Sequence, residues 1–119
     1  MSDKHEVRVR RVYDDPEPGD GIRVLVDRLW PRGVTKERAH LDEWCKQIAP
    51  SPTLRTWYSH DPERFAEFTR RYRQELTEPE RAEALTGLRA LAQDHTLTLL
   101  TASKAADISE ATVLAEMLR

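Results

Sequence analysis

Val24-Leu25-Val26-Asp27-Arg28-Leu29-Trp30-Pro31-Arg32-Gly33 decides how this chain is read. Its opening apolar run, extended back to Ile22, has the length and β-branched content of a core strand. Asp27 and Arg28 then stand where a buried strand should continue, and Trp30-Pro31-Arg32-Gly33 turns the chain. Charge at the end of a buried strand is unfavourable unless it is paired or used. The stretch therefore predicts a strand over Ile22–Leu29 and marks its carboxyl end as a candidate site.

Two more strands are predicted outward from it. Val7–Tyr13 alternates Val7 and Val9 with Arg8 and Arg10, and Arg11-Val12 breaks the period as a bulge or edge would. Leu97–Ala102 is apolar with threonines. Between the first two strands, residues 14–21 are dense in turn formers, and Gly19-Asp20-Gly21 reads as a turn. It lacks the glycine spacing of a phosphate-binding loop.

The rest reads as helix. Thr35 can cap a helix whose stripe is Leu41, Trp44, Cys45 and Ile48, ended by Pro50. Ser51-Pro52 and Asp61-Pro62 each place a cap before proline at the first helical position. The first opens a short helix with Leu54, Trp57 and Tyr58. The second opens one that buries Phe65, Phe68, Tyr72 and Leu76. Thr77 and Glu80 have capping-box spacing, as do Asp107 and Glu110. The order strand, strand, helices, strand, helix makes the second and third strands parallel neighbours or near neighbours. The expectation is a small helix-rich α/β domain on a short, mostly parallel, three-stranded sheet, with a flexible tail over residues 1–6.

Composition narrows the classes of function. The chain has 119 residues, enough for one domain, and a formal net charge of −2 with both signs interspersed. A dedicated nucleic-acid binder usually carries a basic excess, so that partner is disfavoured. A single cysteine, Cys45, forbids an internal disulfide. On the stripe of its predicted helix it reads as a small buried hydrophobe. No run approaches a membrane span, and the polar start lacks a signal-peptide core. The expected location is the cytoplasm, with no membrane partner. His5, His40, His60 and His95 are scattered, without metal-ligand spacing. The residues name no cofactor and no oligomeric state.

In open parallel sheets, ligands bind beyond the carboxyl ends of the strands. Two such ends are residues 27–33 and Thr101-Ala102-Ser103-Lys104. Parallel strands would place them on one rim, with guanidinium forks suited to carboxylate or phosphate. Arg28, Arg32 and Lys104 are the candidate anion ligands, with Asp27 as a candidate base. The competing reading is an Asp27–Arg28 ion-pair network that pins the strand end. Trp30 either stacks on a ligand or fills the core edge. Pro31 restricts Trp30 and so fixes where Arg32 points. His60, just before a helix cap, is the histidine best placed for acid–base work. Alternatively Asp61 is only a cap and His60 a solvated loop residue. Arg70, Arg71 and Arg73, with Arg55, could contact nucleic acid or an acidic partner. Otherwise they form a solvated face balanced by Glu67 and Glu75.

Taken together, residues 26–33, Asp42-x-Trp44, Ile48-Ala49-Pro50-Ser51, Leu54-Arg55-x-Trp57, His60-Asp61-Pro62 and Phe68-x-x-Arg71-Tyr72 resemble the YeaO-like family of small bacterial proteins. The resemblance runs from about Val9 to the C-terminus. It implies a small bacterial cytoplasmic protein and brings no activity with it, since the family is classed as a domain of unknown function. Its polar motifs correspond here to Asp27, Arg28, Arg32, His60 and Asp61. Its members often carry a Lys-Asp pair and a later histidine near the C-terminus. Here Ala105 follows Lys104, and Ile108 stands at the histidine's place. A mechanism that needs a C-terminal acid or base is thereby weakened.

Overall fold

In the computed structural model, which describes residues 5–119, the sheet has four strands. They are β1 (Val7–Arg11), β2 (Ile22–Leu25), β3 (Glu43–Trp44) and β4 (Leu97–Thr101), and they lie in the order β1-β4-β2-β3. Every pairing is parallel. The expected three strands are present, shorter than predicted, and a fourth has joined them. Residues 1–4 of the expected tail lie outside the described residues. Glu6 meets the sheet through its carbonyl, which accepts from Leu97 N at 2.8 Å.

The fourth strand corrects the helix predicted through Trp44. The helix capped by Thr35 is only α1 (Lys36–Ala39). His40 enters the left-handed region at φ 49° and stops it. Asp42 then grips β2 twice: its carboxylate accepts from Arg23 N, and its own N–H donates to Arg23 O, both at 2.9 Å. That clasp leads Glu43-Trp44 into the ladder, and Cys45 N donates to Leu25 O at 2.8 Å. The three–four spacing of Leu41, Trp44, Cys45 and Ile48 is an accident of a chain that crosses from one side of the sheet to the other.

The remaining helices are α2 (Pro52–Tyr58), α3 (Phe65–Glu75), α4 (Pro79–Asp94) and α5 (Glu110–Leu118). Ser51 caps α2 as predicted, its Oγ accepting from Leu54 N at 3.1 Å. Asp61 accepts from Glu63 N at the start of a 3-10 turn, Pro62–Arg64, that leads into α3. Neither expected capping box forms. Glu78 precedes α4 with no side-chain cap, and Thr77 bonds back to Gln74 O. Ser109, not Asp107, caps α5. No helix among the described residues is long and apolar enough to cross a membrane.

Strand alternation divides the sheet into two unlike faces. Val7, Val24, Val26, Leu97 and Leu99 point to the helices and join Tyr58, Phe68, Tyr72, Leu88 and Leu114 in the main core. The opposite face is half apolar and half ionic. Its apolar half gathers Val12, Leu25, Leu100, Val34 and Ala39 under Trp30 and Trp44. Its ionic half is organised by Asp20, which is 1% exposed. The Asp20 carboxylate takes bonds from Arg10, Arg23 and Glu17 N, with Arg8 at 3.4 Å. Thr98 donates to Asp20 O at 2.7 Å. Gly19-Asp20-Gly21 is therefore more than a turn: it is the anchor of this face.

This anchor accounts for an unusual connection. Parallel strands are generally joined by a crossover of a dozen or more residues, usually helical. Here residues 12–21 alone return the chain from β1 to β2, past the central β4. Pro16, Pro18, Gly19 and Gly21 disfavour an α-helix there, and a single 3-10 turn forms at Pro18–Asp20. Ten extended residues reach roughly 33 Å, enough to run back along one strand and cross two strand spacings.

Candidate functional site

Beyond the carboxyl ends of β2 and β4 the structure opens into a pocket of ≈ 610 Å³. Its first wall follows from the end of β2. Val26 N still donates to Leu100 O at 3.1 Å, but Asp27 leaves the ladder. Its carboxylate turns onto the end of β4 and accepts from Thr101 Oγ1 at 2.8 Å and Ala102 N at 2.7 Å. The strand's closing charge is thus used to tie two strand ends together. Arg28 plays no part in that tie. Its side chain is exposed and reaches no hydrogen-bond or ion-pair partner among the described residues, so no Asp27–Arg28 pair forms.

The loop after Asp27 is held by its aromatics. Trp30 Nε1 donates to Val34 O at 2.6 Å, and Tyr13 OH donates to Arg32 O at 3.0 Å. Gly33, at φ 79°, allows the tight return. Trp44 Nε1 donates to Asp27 O at 2.8 Å, and its ring meets Trp30 edge-on at 5.4 Å. Trp30 therefore belongs to the core edge and also faces the pocket.

The second wall is the end of α2. Arg55, Thr56, Tyr58, Ser59 and His60 line it. Ser59 and His60 are consecutive left-handed residues, at φ 48° and 56°. Tyr58 OH donates to Ile108 O at 2.7 Å. Its phenol is pushed up to about 12, by burial first and then by the charges of Asp61, Asp107 and Glu110. It stays protonated and structural. The N-terminus of α2 is fixed from α3, where the Glu75 carboxylate accepts from Ser51 N at 2.8 Å and Ser51 Oγ at 2.6 Å.

The floor is Glu110, the first residue of α5. It lines the pocket together with Asp27. Burial, then the Asp27 hydrogen bond, then the Asp27 charge, hold it well above the ordinary carboxylate range, against a weaker opposing pull from Arg55. Two carboxyls sharing a site favour holding one proton between them.

The pocket brings together Asp27, Arg28, Trp30, Arg32 and His60 of the residues singled out from sequence. Lys104 is exposed and is not among the lining residues; its neighbour Ser103 is, held by Arg11 Nε on its carbonyl at 3.1 Å. Asp61 is engaged as a cap and paired with Arg64 at 3.6 Å, away from the pocket lining. The sequence reading placed Arg55 on another surface and Glu110 in a capping box, and it assigned Tyr13 and Ser59 no part in the site. A signal for Glu110 was nonetheless present: Ser109 is an equally good cap one residue before it.

The arginine-rich face of α3 is largely neutralised. Glu67 binds Arg70 at 2.5 Å and Arg71 at 2.8 Å, and those bonds hold its carboxyl at about 2. Arg71 and Arg64 also stack on Trp57, at 4.3 and 5.1 Å from the ring centroid. Glu75, expected to balance this face, is engaged by Ser51 instead. Cys45 is 4% exposed, and burial pushes its thiol up to about 11. Among the described residues no group of His, Cys, Asp and Glu could hold a metal ion.

A family model described as "Inactive DUF488-N3 subclade" matches residues 6–119. The uncharacterised protein Rv3073c of Mycobacterium tuberculosis is 49% identical over 112 residues, covering 94% of this chain and 92% of its own. The uncharacterised protein YeaO of Escherichia coli is 42% identical over 113 residues, covering 95% and 96%. No solved structure matches this chain.

Proposed function

This chain belongs to the YeaO-like family, in the inactive DUF488-N3 subclade, and from that premise we propose that it binds a compact anion without turning it over. The ligand is phosphate- or carboxylate-bearing and occupies the pocket beyond β2 and β4.

One observation carries the reading. Among the described residues, four arginine side chains make no hydrogen bond, ion pair or aromatic stack: Arg28, Arg32, Arg55 and Arg73. Three of the four line this one pocket. Elsewhere, even surface arginines such as Arg38 and Arg70 find carboxylates. A planar fork left without a carboxylate partner is suited to a carboxylate or phosphate from outside. In this reading Arg28, Arg32 and Arg55 hold the anion, Trp30 covers its apolar portion, and His60 closes the mouth.

The absence of turnover in the proposal rests on chemistry as well as on the family description. A general base needs free lone pairs within reach of its proton. The Asp27 oxygens accept from Thr101 and Ala102, which tie them to the end of β4. Thr101 Oγ1 donates to Asp27 as part of the tie between strand ends, while Ser109 Oγ donates to Ala106 O and has no base beside it. His60 is exposed at the lip, its ring 6.2 Å from that of Tyr58 and without a hydrogen-bond partner among the described residues.

A thermal-shift screen of phosphorylated metabolites, nucleotides and organic acids tests the reading. Run on wild type and Arg32→Ala, it should give stabilising anions whose effect is lost in the variant. Hits that survive Arg32→Ala and Arg55→Ala alike would place binding elsewhere and refute the proposal.

A further inference from the structure

An anion in this pocket meets a small, countable set of charges. Arg28, Arg32 and Arg55 contribute three guanidiniums from the rim. On the floor, Glu110 lines the pocket beside Asp27, whose oxygens take bonds from Thr101 and Ala102. Burial, then the Asp27 carboxyl beside it, hold the Glu110 carboxyl well above the ordinary range, so Glu110 adds no charge to the floor. Tyr58 adds none, since its hydroxyl is a donor to Ile108 O. Tyr72, packed behind the floor from α3, donates to Ile48 O and is also neutral. His60 faces solvent at the lip. Among the residues that line the pocket, guanidinium charges therefore exceed carboxylate charges by two.

We propose that the pocket selects a doubly charged oxyanion, a phosphomonoester, over a singly charged oxyanion of the same shape. The inference rests on the anion-binding reading above and adds the ligand's charge to it. A carboxylate or sulfate monoester would leave one guanidinium unsatisfied, whereas a phosphomonoester dianion completes the set. Arginine is also the side chain that best matches several phosphate oxygens at once. At about 5 Å and an effective dielectric near 20, one further ligand charge would strengthen binding well beyond tenfold. Screening at an exposed rim reduces the expectation to about tenfold.

Methyl phosphate and methyl sulfate make the comparison directly. They are near-isosteric, and methyl sulfate is a monoanion throughout, whereas a phosphomonoester loses its second proton near pH ~6. Binding is measured by NMR shift perturbation on the full chain. At about pH 7.5, methyl phosphate should bind about tenfold more tightly than methyl sulfate, and at about pH 5 the two should be nearly equal. Equal affinities at the higher pH would overturn charge selection while leaving the anion site standing. No binding of either probe would overturn both readings. The combined variant Arg28→Ala, Arg32→Ala, Arg55→Ala changes three exposed side chains and should abolish the preference; its persistence would also overturn the proposal.

Discussion

Asp20→Asn should cost this protein about 3 kcal/mol of stability. Asparagine keeps the shape of the side chain and removes its charge. The Asp20 side chain is 1% exposed and that of Arg23 is 5% exposed, so the guanidinium cannot turn to water for compensation. It retains bonds to Ala39 O at 2.9 Å and His40 O at 3.1 Å but loses its countercharge. Breaking one side of a buried pair typically costs ~3–5 kcal/mol. Arg8 and Arg10 are better solvated, at 29% and 15%, which sets the expectation at the low end. For a chain of this length the corresponding fall in Tm is on the order of 10 °C. Urea unfolding followed by tryptophan fluorescence measures the loss, and its pH dependence identifies the cause. Burial alone would raise the Asp20 pKa, but the bonds from Glu17 N–H and Arg23, with the Arg10 charge and bond, outweigh it and lower the pKa. A lowered carboxylate contributes its full stability above the unfolded-state pKa of ~3.9 and loses it as pH falls through the folded value. The gap between wild type and variant should therefore be complete at neutral pH and close below about pH 4. A loss under ~1 kcal/mol, or a gap unchanged in strong acid, would refute the reading of this face as a charge-locked one.

Glu110→Gln should have the opposite pH signature. The Glu110 pKa is raised, so its favourable contribution is present below the unfolded value of ~4.3 and lost as pH rises towards the folded value. Glutamine cannot ionise, and the variant should gain on wild type above about pH 5, by ~1.4 kcal/mol for each pH unit separating the two pKa values; equal urea midpoints at neutral pH would contradict this. Gly21→Ala should destabilise by roughly 2–3 kcal/mol in a thermal melt, because φ is 65° and a Cβ would stand 2.1 Å from Thr96 O, which also accepts from Ile22 N. Cys45 should resist a thiol reagent in the native protein and react at the rate of unfolding, given a thiol pushed up to about 11 and 4% exposure; rapid native labelling would show that its burial is misread.

Much of the frame is legible in the chain. Ile22–Leu25 and Leu97–Thr101 are parallel neighbours, as their apolar runs and the intervening helices require. Their ends do meet, because Asp27 follows one and Thr101 closes the other. The helix starts at Ser51-Pro52 and Asp61-Pro62 are equally readable, since a cap before proline leaves few alternatives. What stayed hidden depends on partners distant in sequence. Trp44 has helical spacing with its neighbours and becomes a strand only because Asp42 clasps Arg23. Asp20 looks like any turn residue until Arg8, Arg10 and Arg23 are placed on one face; inward arginines at alternate strand positions were the available sign that a buried carboxylate must answer them. Arg55 could not be assigned to the pocket without knowing that α2 ends over the β2–β4 rim. Glu110 looks like an ordinary first-turn carboxylate, and its place beside Asp27, 83 positions away in the numbering, comes from the fold alone.

The order of strands also governs when this protein can fold. β1 and β2 are close in sequence, yet they never pair; they flank a slot that β4 fills. The ion pairs of the Asp20 cluster draw on residues 8–23 and need no residue of β4. The occupant of the slot begins at Leu97, so synthesis must pass that residue before the sheet has a centre. Until then two strand edges stand open. The sheet is completed by one long-range insertion between strands distant from β4 in sequence, a topology that slows folding.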